Sequence, residues 1–66
     1  MTIEIRDIIV NHPDLGQLQK QIIVYLNDNG DEVSKENYTE AHPLYGIDPN
    51  NLTRMDKFII NQLIGM

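Results

Sequence analysis

The chain has 66 residues and no cysteine, which excludes disulfides and thiolate metal sites. Its net charge of −5 argues against direct nucleic-acid binding, which needs a basic stripe along the protein surface. A domain of this size buries only about 60% of the surface that its unfolded chain exposes, so we expect self-association or a protein partner to add to its stability.

Residues 2–11 carry two competing patterns. As a strand, Ile3 and Ile5 alternate with polar residues until Asp7 breaks the inward row. As a helix, the segment collects three isoleucines on one side. We prefer the helix because the following Asn-His-Pro-Asp sequence ends one helix and caps the next, a residue before proline being pushed out of the helical region.

Residues 14–30 give the clearest helical pattern. Asp14 and Gln17 can form a capping box at the start, and Asn29-Gly30 supplies a left-handed stop. Apolar side chains between these ends recur at spacings of three and four, which places them on one stripe of a helix. They are Leu15, Leu18, Ile22, Tyr25 and Leu26.

A strand is the alternative for the same segment. The β-branched run Ile22-Ile23-Val24 favours it, and the Asn-Asp-Asn-Gly sequence that follows can form a hairpin turn. A strand would, however, point Lys20 inward with the apolar residues. We therefore prefer the helix, which leaves Val24 facing solvent.

The middle of the chain predicts one or two helical turns over residues 33–38. Ser34 is the expected cap, and Val33 and Tyr38 stand at the two positions of a hydrophobic staple. We expect Leu44 and Tyr45, in the connector that follows, to pack down on the N-terminal hairpin.

The last predicted helix has two possible starts. Asp48 can cap it with Pro49 at the first helical position, or Thr53 can cap it with Asp56 completing a capping box. In either case the helix runs to Ile64 and ends at Gly65. Its apolar residues cover roughly 240° of the helical wheel, so the helix needs burial on more than one side. They are Leu52, Met55, Phe58, Ile59, Ile60, Leu63, Ile64 and Met66.

These patterns predict one all-α domain over residues 1–66, a small helical bundle with an N-terminal helical hairpin, a short middle helix and a C-terminal helix. An α+β fold with a β-hairpin and a C-terminal helix is the alternative. Arg6 and Asp7 interrupt the N-terminal apolar run, and no stretch approaches the roughly 20 apolar residues of a membrane span. We therefore expect a soluble cytoplasmic protein that does not bind a membrane.

Two features of the sequence, a loop of the calcium-binding type and a pair of histidines, resemble functional motifs but lack some of the residues that such motifs need. With Gly30 as the sixth residue of a calcium loop, Asn27, Asn29 and Glu36 fall at ligand positions, but Tyr25 occupies the first, where a carboxylate is needed. We keep a degenerate calcium loop as a minor alternative and otherwise expect no metal and no cofactor.

The two histidines, His12 and His42, both precede proline where we expect a helix to end. They are suited to capping helix C-termini. As general bases or metal ligands, His12 would pair with Asp14, or His42 with Glu40. No catalytic motif accompanies either histidine, so we expect no enzymatic activity.

The segment from Asp28 to Asp48 holds six acids against Lys35 alone and so carries all the excess charge. We expect an acidic protein-interaction module, a small subunit or regulator that docks to a protein partner, a basic protein being one option, or to itself. The alternative is an inhibitor of the phage type, whose acids mimic nucleic acid and block a basic site on a host or defence protein. The candidate partner-binding residues are Glu32, Glu36, Glu40, Tyr38, Tyr45, Phe58 and Val24.

Overall fold

The computed structural model describes residues 1–65 as a three-stranded antiparallel sheet followed by one helix. The elements are β1 (Thr2–His12), β2 (Gly16–Leu26), β3 (Glu32–Asn37) and α1 (Arg54–Ile64). The strands lie in the order β1-β2-β3. The all-α prediction, and with it the description of the chain as helical, is therefore wrong, and the α+β alternative fits. Met66, which we counted with the last helix, lies outside the described residues.

The middle strand β2 is fixed by its apolar C-terminal half. Ile23 and Tyr25 point toward α1 and are fully buried, and Val24 on the opposite face is fully buried too. A segment buried on both faces favours a continuous run of β-branched and aromatic residues. The helix predicted over residues 14–30 is wrong. Its apolar stripe required Leu15 and Leu18 to be buried, and both are exposed.

The register of β1 explains its ambiguous pattern. Ile3 pairs with Tyr25 and Ile5 with Ile23, so the first half of β1 lies on the core. The inward row breaks at Asp7 because the core ends there. Beyond this point the two strands continue as a projecting hairpin, which we call the arm (residues 6–21), and its residues are exposed except for the half-buried Ile8.

The tip of the arm is the sequence that we had interpreted as a helix boundary. His12 does not cap a helix; its Nδ1 accepts hydrogen bonds from the backbone N–H groups of Asp14 (3.1 Å) and Leu15 (3.2 Å). Gly16 then adopts a left-handed conformation with φ of 76°, which closes the turn into β2. Asp14 lies within this turn and starts no helix.

The turn between β2 and β3 is the Asn-Asp-Asn-Gly sequence. The side-chain oxygen of Asn27 accepts the N–H groups of Asn29 and Asp31, both at 2.9 Å. Gly30 supplies the left-handed residue. The hairpin-turn alternative is therefore right, and the stop signal belongs to a turn instead of a helix.

The predicted middle helix is wrong, because β3 occupies that segment and takes its backbone partners from β2. Tyr38, which follows β3, is buried and organises the loop after it. Its hydroxyl donates to the carbonyl of Leu44 and accepts the N–H of Gly46, both at 2.8 Å. Leu44 is fully buried, whereas Tyr45 is half exposed with its ring 5.7 Å from that of Tyr38.

The C-terminal helix α1 starts at the later of its two predicted positions. Thr53 accepts the N–H of Asp56 at 3.1 Å, and the Asp56 carboxylate accepts the N–H of Thr53 at 2.9 Å. This capping box and the left-handed Gly65 are confirmed as predicted. The earlier start is wrong, since Asp48 instead accepts the N–H of Asn50 in a turn.

The core lies between α1 and one face of the sheet. Its buried members are Ile3, Ile23, Tyr25, Tyr38, Leu44 and Ile60. Within α1, Ile60 is fully buried, while Met55 and Phe58 are 65% and 59% exposed. The wide apolar arc of this helix is therefore covered on one side and left open on the other.

The bridging hydroxyl of Tyr38 can be tested with a matched pair of Tyr→Phe variants. In Tyr38→Phe the Leu44 carbonyl and the Gly46 N–H lose their buried partner, and we expect the free energy of unfolding to fall by about 2 kcal/mol. Tyr45→Phe, which removes the same atom from a half-exposed ring, should change it little. Urea denaturation measures both variants, and equal stabilities would contradict the bridging role.

Candidate functional site

Three side chains from different elements meet at the margin of the core, and we call them the Tyr–Glu–His cluster (Tyr25, Glu36 and His42). The pairing of Ile23 with Glu36 places that carboxylate on the core face of β3, next to Tyr25. The Tyr25 hydroxyl donates to Glu36 Oε1 at 2.5 Å, and His42 Nε2 lies 3.1 Å from the same oxygen. The cluster joins β2, β3 and the following loop.

The second nitrogen of His42 determines its tautomer. Its Nδ1 accepts the backbone N–H of Leu44 at 3.1 Å, so we assign the ring proton to Nε2, which donates to Glu36. Both nitrogens are thus engaged, and the His42 side chain is 7% exposed. The predicted pairing of His42 with Glu40 is wrong, because His42 pairs with Glu36.

The hydrogen bonds of the cluster determine which of its members is ionised. The hydrogen bond from Tyr25, followed by that from His42, holds the pKa of Glu36 below its usual value. Burial, together with the neighbouring Glu36 carboxylate, raises the pKa of the Tyr25 hydroxyl well above its usual value. At neutral pH the cluster therefore contains an ionised Glu36 and a neutral phenol, and the Glu36 carboxylate is bound by two side chains of the fold although its own side chain is 40% exposed.

The remaining acids of the middle segment are exposed, and we call them the acidic surface. Its members are Asp28, Asp31, Glu32, Glu40 and Asp48. The first three lie at one end of β3, where Asp28 binds the Met1 amino group at 2.9 Å, an interaction that lowers the pKa of Asp28. Glu40 follows the other end of the strand. The structure thus binds Glu36 within the cluster and leaves the other five acids without a place in it.

The outward side of α1 carries a surface that we call the helix patch. It consists of Arg54 and the two apolar residues Met55 and Phe58. These three residues line a shallow concavity on the surface. Met55 and Phe58 are three positions apart and so lie on the same side of the helix. Of the predicted partner-binding residues, Phe58 is therefore one that an approaching protein can reach.

Two other predicted binding residues do not lie on the surface. Val24 is fully buried between its cross-strand neighbours Glu4 and Lys35, so the prediction that it faces solvent is wrong. Tyr38 is also buried, and its ring supports the exposed Tyr45 from below. Tyr45 alone of these two tyrosines offers its ring to a partner.

The degenerate calcium loop is not supported by the geometry. Strands flank it in place of helices, and the side-chain oxygen of Asn27 is occupied by turn N–H groups. The Glu36 carboxylate, at the last ligand position, is bound by Tyr25 and His42. Residues 1–65 contain no group of three His, Cys, Asp or Glu side chains placed to hold a metal.

Comparisons with known proteins add no further assignment. No family model, curated protein or solved structure matches this chain. In the part of the chain that the structure describes, no helix has the length and apolar character needed to cross a membrane. The candidate sites therefore rest on the geometry of the described residues.

Sequence reasoning missed the Tyr–Glu–His cluster because it depends on strand register. Leu26 pairs with Glu32 next to the hairpin turn, and plain alternation from that pair would place Glu36 opposite Ile22, on the face away from Tyr25. A register shift between Tyr25 and Leu26 instead pairs Glu36 with Ile23 on the core face. The sequence around His42 contains no signal either, since the histidine reaches Glu36 through a turn of the loop. The hairpin turn could therefore have revealed β3, but not the register that brings Glu36 to Tyr25.

The depressed pKa of Glu36 predicts an acid-dependent loss of stability. Its carboxylate stabilises the fold fully above its ordinary pKa of 4.5, and this contribution is lost as the pH falls through the lower folded-state pKa. We expect wild type to exceed Glu36→Gln in free energy of unfolding at neutral pH, with the difference shrinking as the pH falls below the ordinary pKa of 4.5. Urea titrations at a series of pH values measure it.

Glu40→Gln is the matched control, because Glu40 is exposed and outside the cluster. Its difference from wild type should stay small and nearly constant over the same pH range. A Glu36→Gln difference that is equally flat would show that the cluster does not hold the carboxylate in its charged form.

Proposed function

We propose that this chain is a non-enzymatic, cytoplasmic binding module that docks its acidic surface on a basic surface of a protein partner. The observation that carries this proposal is that all five carboxylates of the acidic surface are exposed. Among residues 1–65, Asp28 is the one member of this group with an ion pair, and its side chain is still 93% exposed. The excess charge of the chain is therefore presented to solvent and available to a cationic partner.

The partner that best suits this surface is a protein whose basic site otherwise binds nucleic acid. One acidic group (Asp28, Asp31 and Glu32) lies at the start of the six-residue β3, and a second, Glu40, follows its end. The strand itself spans about 20 Å at the rise of a β-strand. A basic groove of similar length could engage both groups, much as it engages successive phosphates. In this proposal the chain acts as an inhibitor by occupying the groove, and complementary charge speeds its association.

A second candidate function uses the helix patch. Met55 and Phe58 combine an adaptable thioether with an aromatic ring, two side chains that commonly anchor protein interfaces. Arg54 and Lys57 lie exposed beside them, so this side of α1 carries no acidic excess. Docking here would depend on apolar contact and would favour a partner with an apolar groove.

The acidic proposal predicts a specific loss of affinity. A partner is first isolated by pull-down from the native host, identified by mass spectrometry and purified. We then expect Glu32→Gln/Glu40→Gln to weaken binding about tenfold at low salt, because two favourable charges are lost. Asp7→Asn/Asp14→Asn changes the net charge equally but lies in the arm, so it should leave affinity nearly unchanged. Isothermal calorimetry measures both variants.

Salt and competition complete this test. Wild-type affinity should fall steeply between about 50 and about 200 mM salt, and the chain should displace nucleic acid from the partner. Binding that resists salt and is unaffected by the acidic substitutions would overturn the proposal.

Docking through the helix patch predicts an affinity that depends on an apolar side chain and not on salt. Phe58→Asp should then abolish binding at any salt concentration, because it places a charge in the centre of an apolar contact. Leu15→Asp is the matched control, since Leu15 is 67% exposed against 59% for Phe58 but lies at the tip of the arm. Retained affinity in Phe58→Asp would exclude the helix patch as the docking surface.

A further inference from the structure

Among residues 1–65, no second strand pairs with the outer edge of β1. The strand order β1-β2-β3 pairs β1 on one side, and its 11 residues show no bulge in that pairing. Proteins usually protect such edges with short strands, charged side chains, prolines or bulges. Beside residues 22–26 the opposite edge is β3, which is six residues long and carries Glu32, Lys35 and Glu36. Along the arm the opposite edge is β2 itself, and its residues 17–21 are polar except for Leu18. The section of β1 from Ile8 to Val10 has no charged side chain, proline or bulge.

The arm also exposes more apolar surface than a solitary hairpin would be expected to leave uncovered. Ile9, Val10 and Leu18 are 63%, 37% and 40% exposed, and they come from both faces of the two-stranded ribbon. A two-stranded ribbon is marginally stable in water. A further strand on the β1 edge would supply backbone hydrogen bonds and cover Ile9 and Val10, which lie on that edge.

The charge distribution indicates which strand would add to the β1 edge. Within the arm, Arg6 and Lys20 balance Asp7 and Asp14, so the arm is neutral and the remainder of the chain holds the net −5. Two copies could therefore meet through their arms without electrostatic repulsion. An antiparallel arrangement would also place the two acidic parts at opposite ends of the pair.

We propose that this chain forms a two-fold symmetric dimer by antiparallel pairing of β1 with β1 of a second copy, centred on Ile9. In this register Ile9 lies opposite Ile9, Ile8 opposite Val10, Asp7 opposite Asn11 and Arg6 opposite His12 of the second copy. Apolar residues meet apolar residues, and no two like charges oppose each other. Moving the axis to Ile8 would instead place Asp7 against Ile9 and Arg6 against Val10.

The resulting sheet has six strands, with β3 at both margins beside residues 22–26 and the outer edge of β2 at both margins along the arm. The dimer is a closed assembly because the β1 edge of each copy is used by the other. This proposal concerns the arm and does not rest on the proposed function, which concerns the acidic surface.

Cysteine cross-linking tests the register directly, because the chain has no cysteine of its own. Directly opposed residues of antiparallel strands have Cα atoms about 4.5–5.5 Å apart, which is within the range that a disulfide spans. Under mild oxidation Ile9→Cys should form a covalent dimer readily, while Leu15→Cys, equally exposed at the arm tip, should remain largely monomeric. Equal cross-linking of the two variants, or none for Ile9→Cys, would overturn the proposal.

Size-exclusion chromatography with light scattering tests the assembly without oxidation. We expect a dimer that dissociates on dilution, and a dissociation constant raised at least about tenfold by Ile9→Lys, which places two like charges at the axis. Leu15→Lys should retain the wild-type constant, and circular dichroism checks that both variants are folded. A monomer at high concentration, or an assembly that Ile9→Lys leaves intact, would refute pairing through β1.

Discussion

The burial of Tyr25 is the constraint on which the rest of the structure depends. Its ring lies at the centre of the core, and a phenol in that position needs a hydrogen-bond partner for its hydroxyl. Glu36 supplies this partner from β3, and its carboxylate is in turn bound by His42 from the following loop. A single side chain of β2 thereby fixes the positions of the neighbouring strand and the loop, and the loop carries the buried Leu44 and leads on to α1.

The same core defines how far the fold extends along the sheet. The elements β3 and α1 are short and cover only the end of the β1–β2 hairpin that contains Ile3, Ile5 and residues 22–26. No further element among residues 1–65 is left to cover residues 6–21. The exposure of the arm therefore follows from the short reach of β3 and α1, and the arm becomes the segment best placed to associate with another strand.

The parts of the fold that sequence reasoning predicted are the ones with local causes. The limits of α1 follow from Thr53, Asp56 and Gly65, each of which acts within one turn of the helix. The β1–β2 hairpin was misassigned because its stability comes from pairing between residues that are distant in sequence. The competing helix required Leu15 and Leu18 to be buried, and the local sequence does not show that they are exposed. The candidate site shows the same contrast. The charge of the acidic segment was visible in the sequence, but the contact of Glu36 with Tyr25 required the register of β3.

The two proposed surfaces have a combined consequence. Antiparallel pairing of the arms would hold two acidic surfaces at opposite ends of one six-stranded sheet, rigidly and in a fixed relative orientation. Such a dimer would bind a partner that carries two basic sites more tightly than one copy could, because the second contact is made within the complex. The neutral arm and the acidic remainder would then have complementary roles, one in assembly and the other in docking.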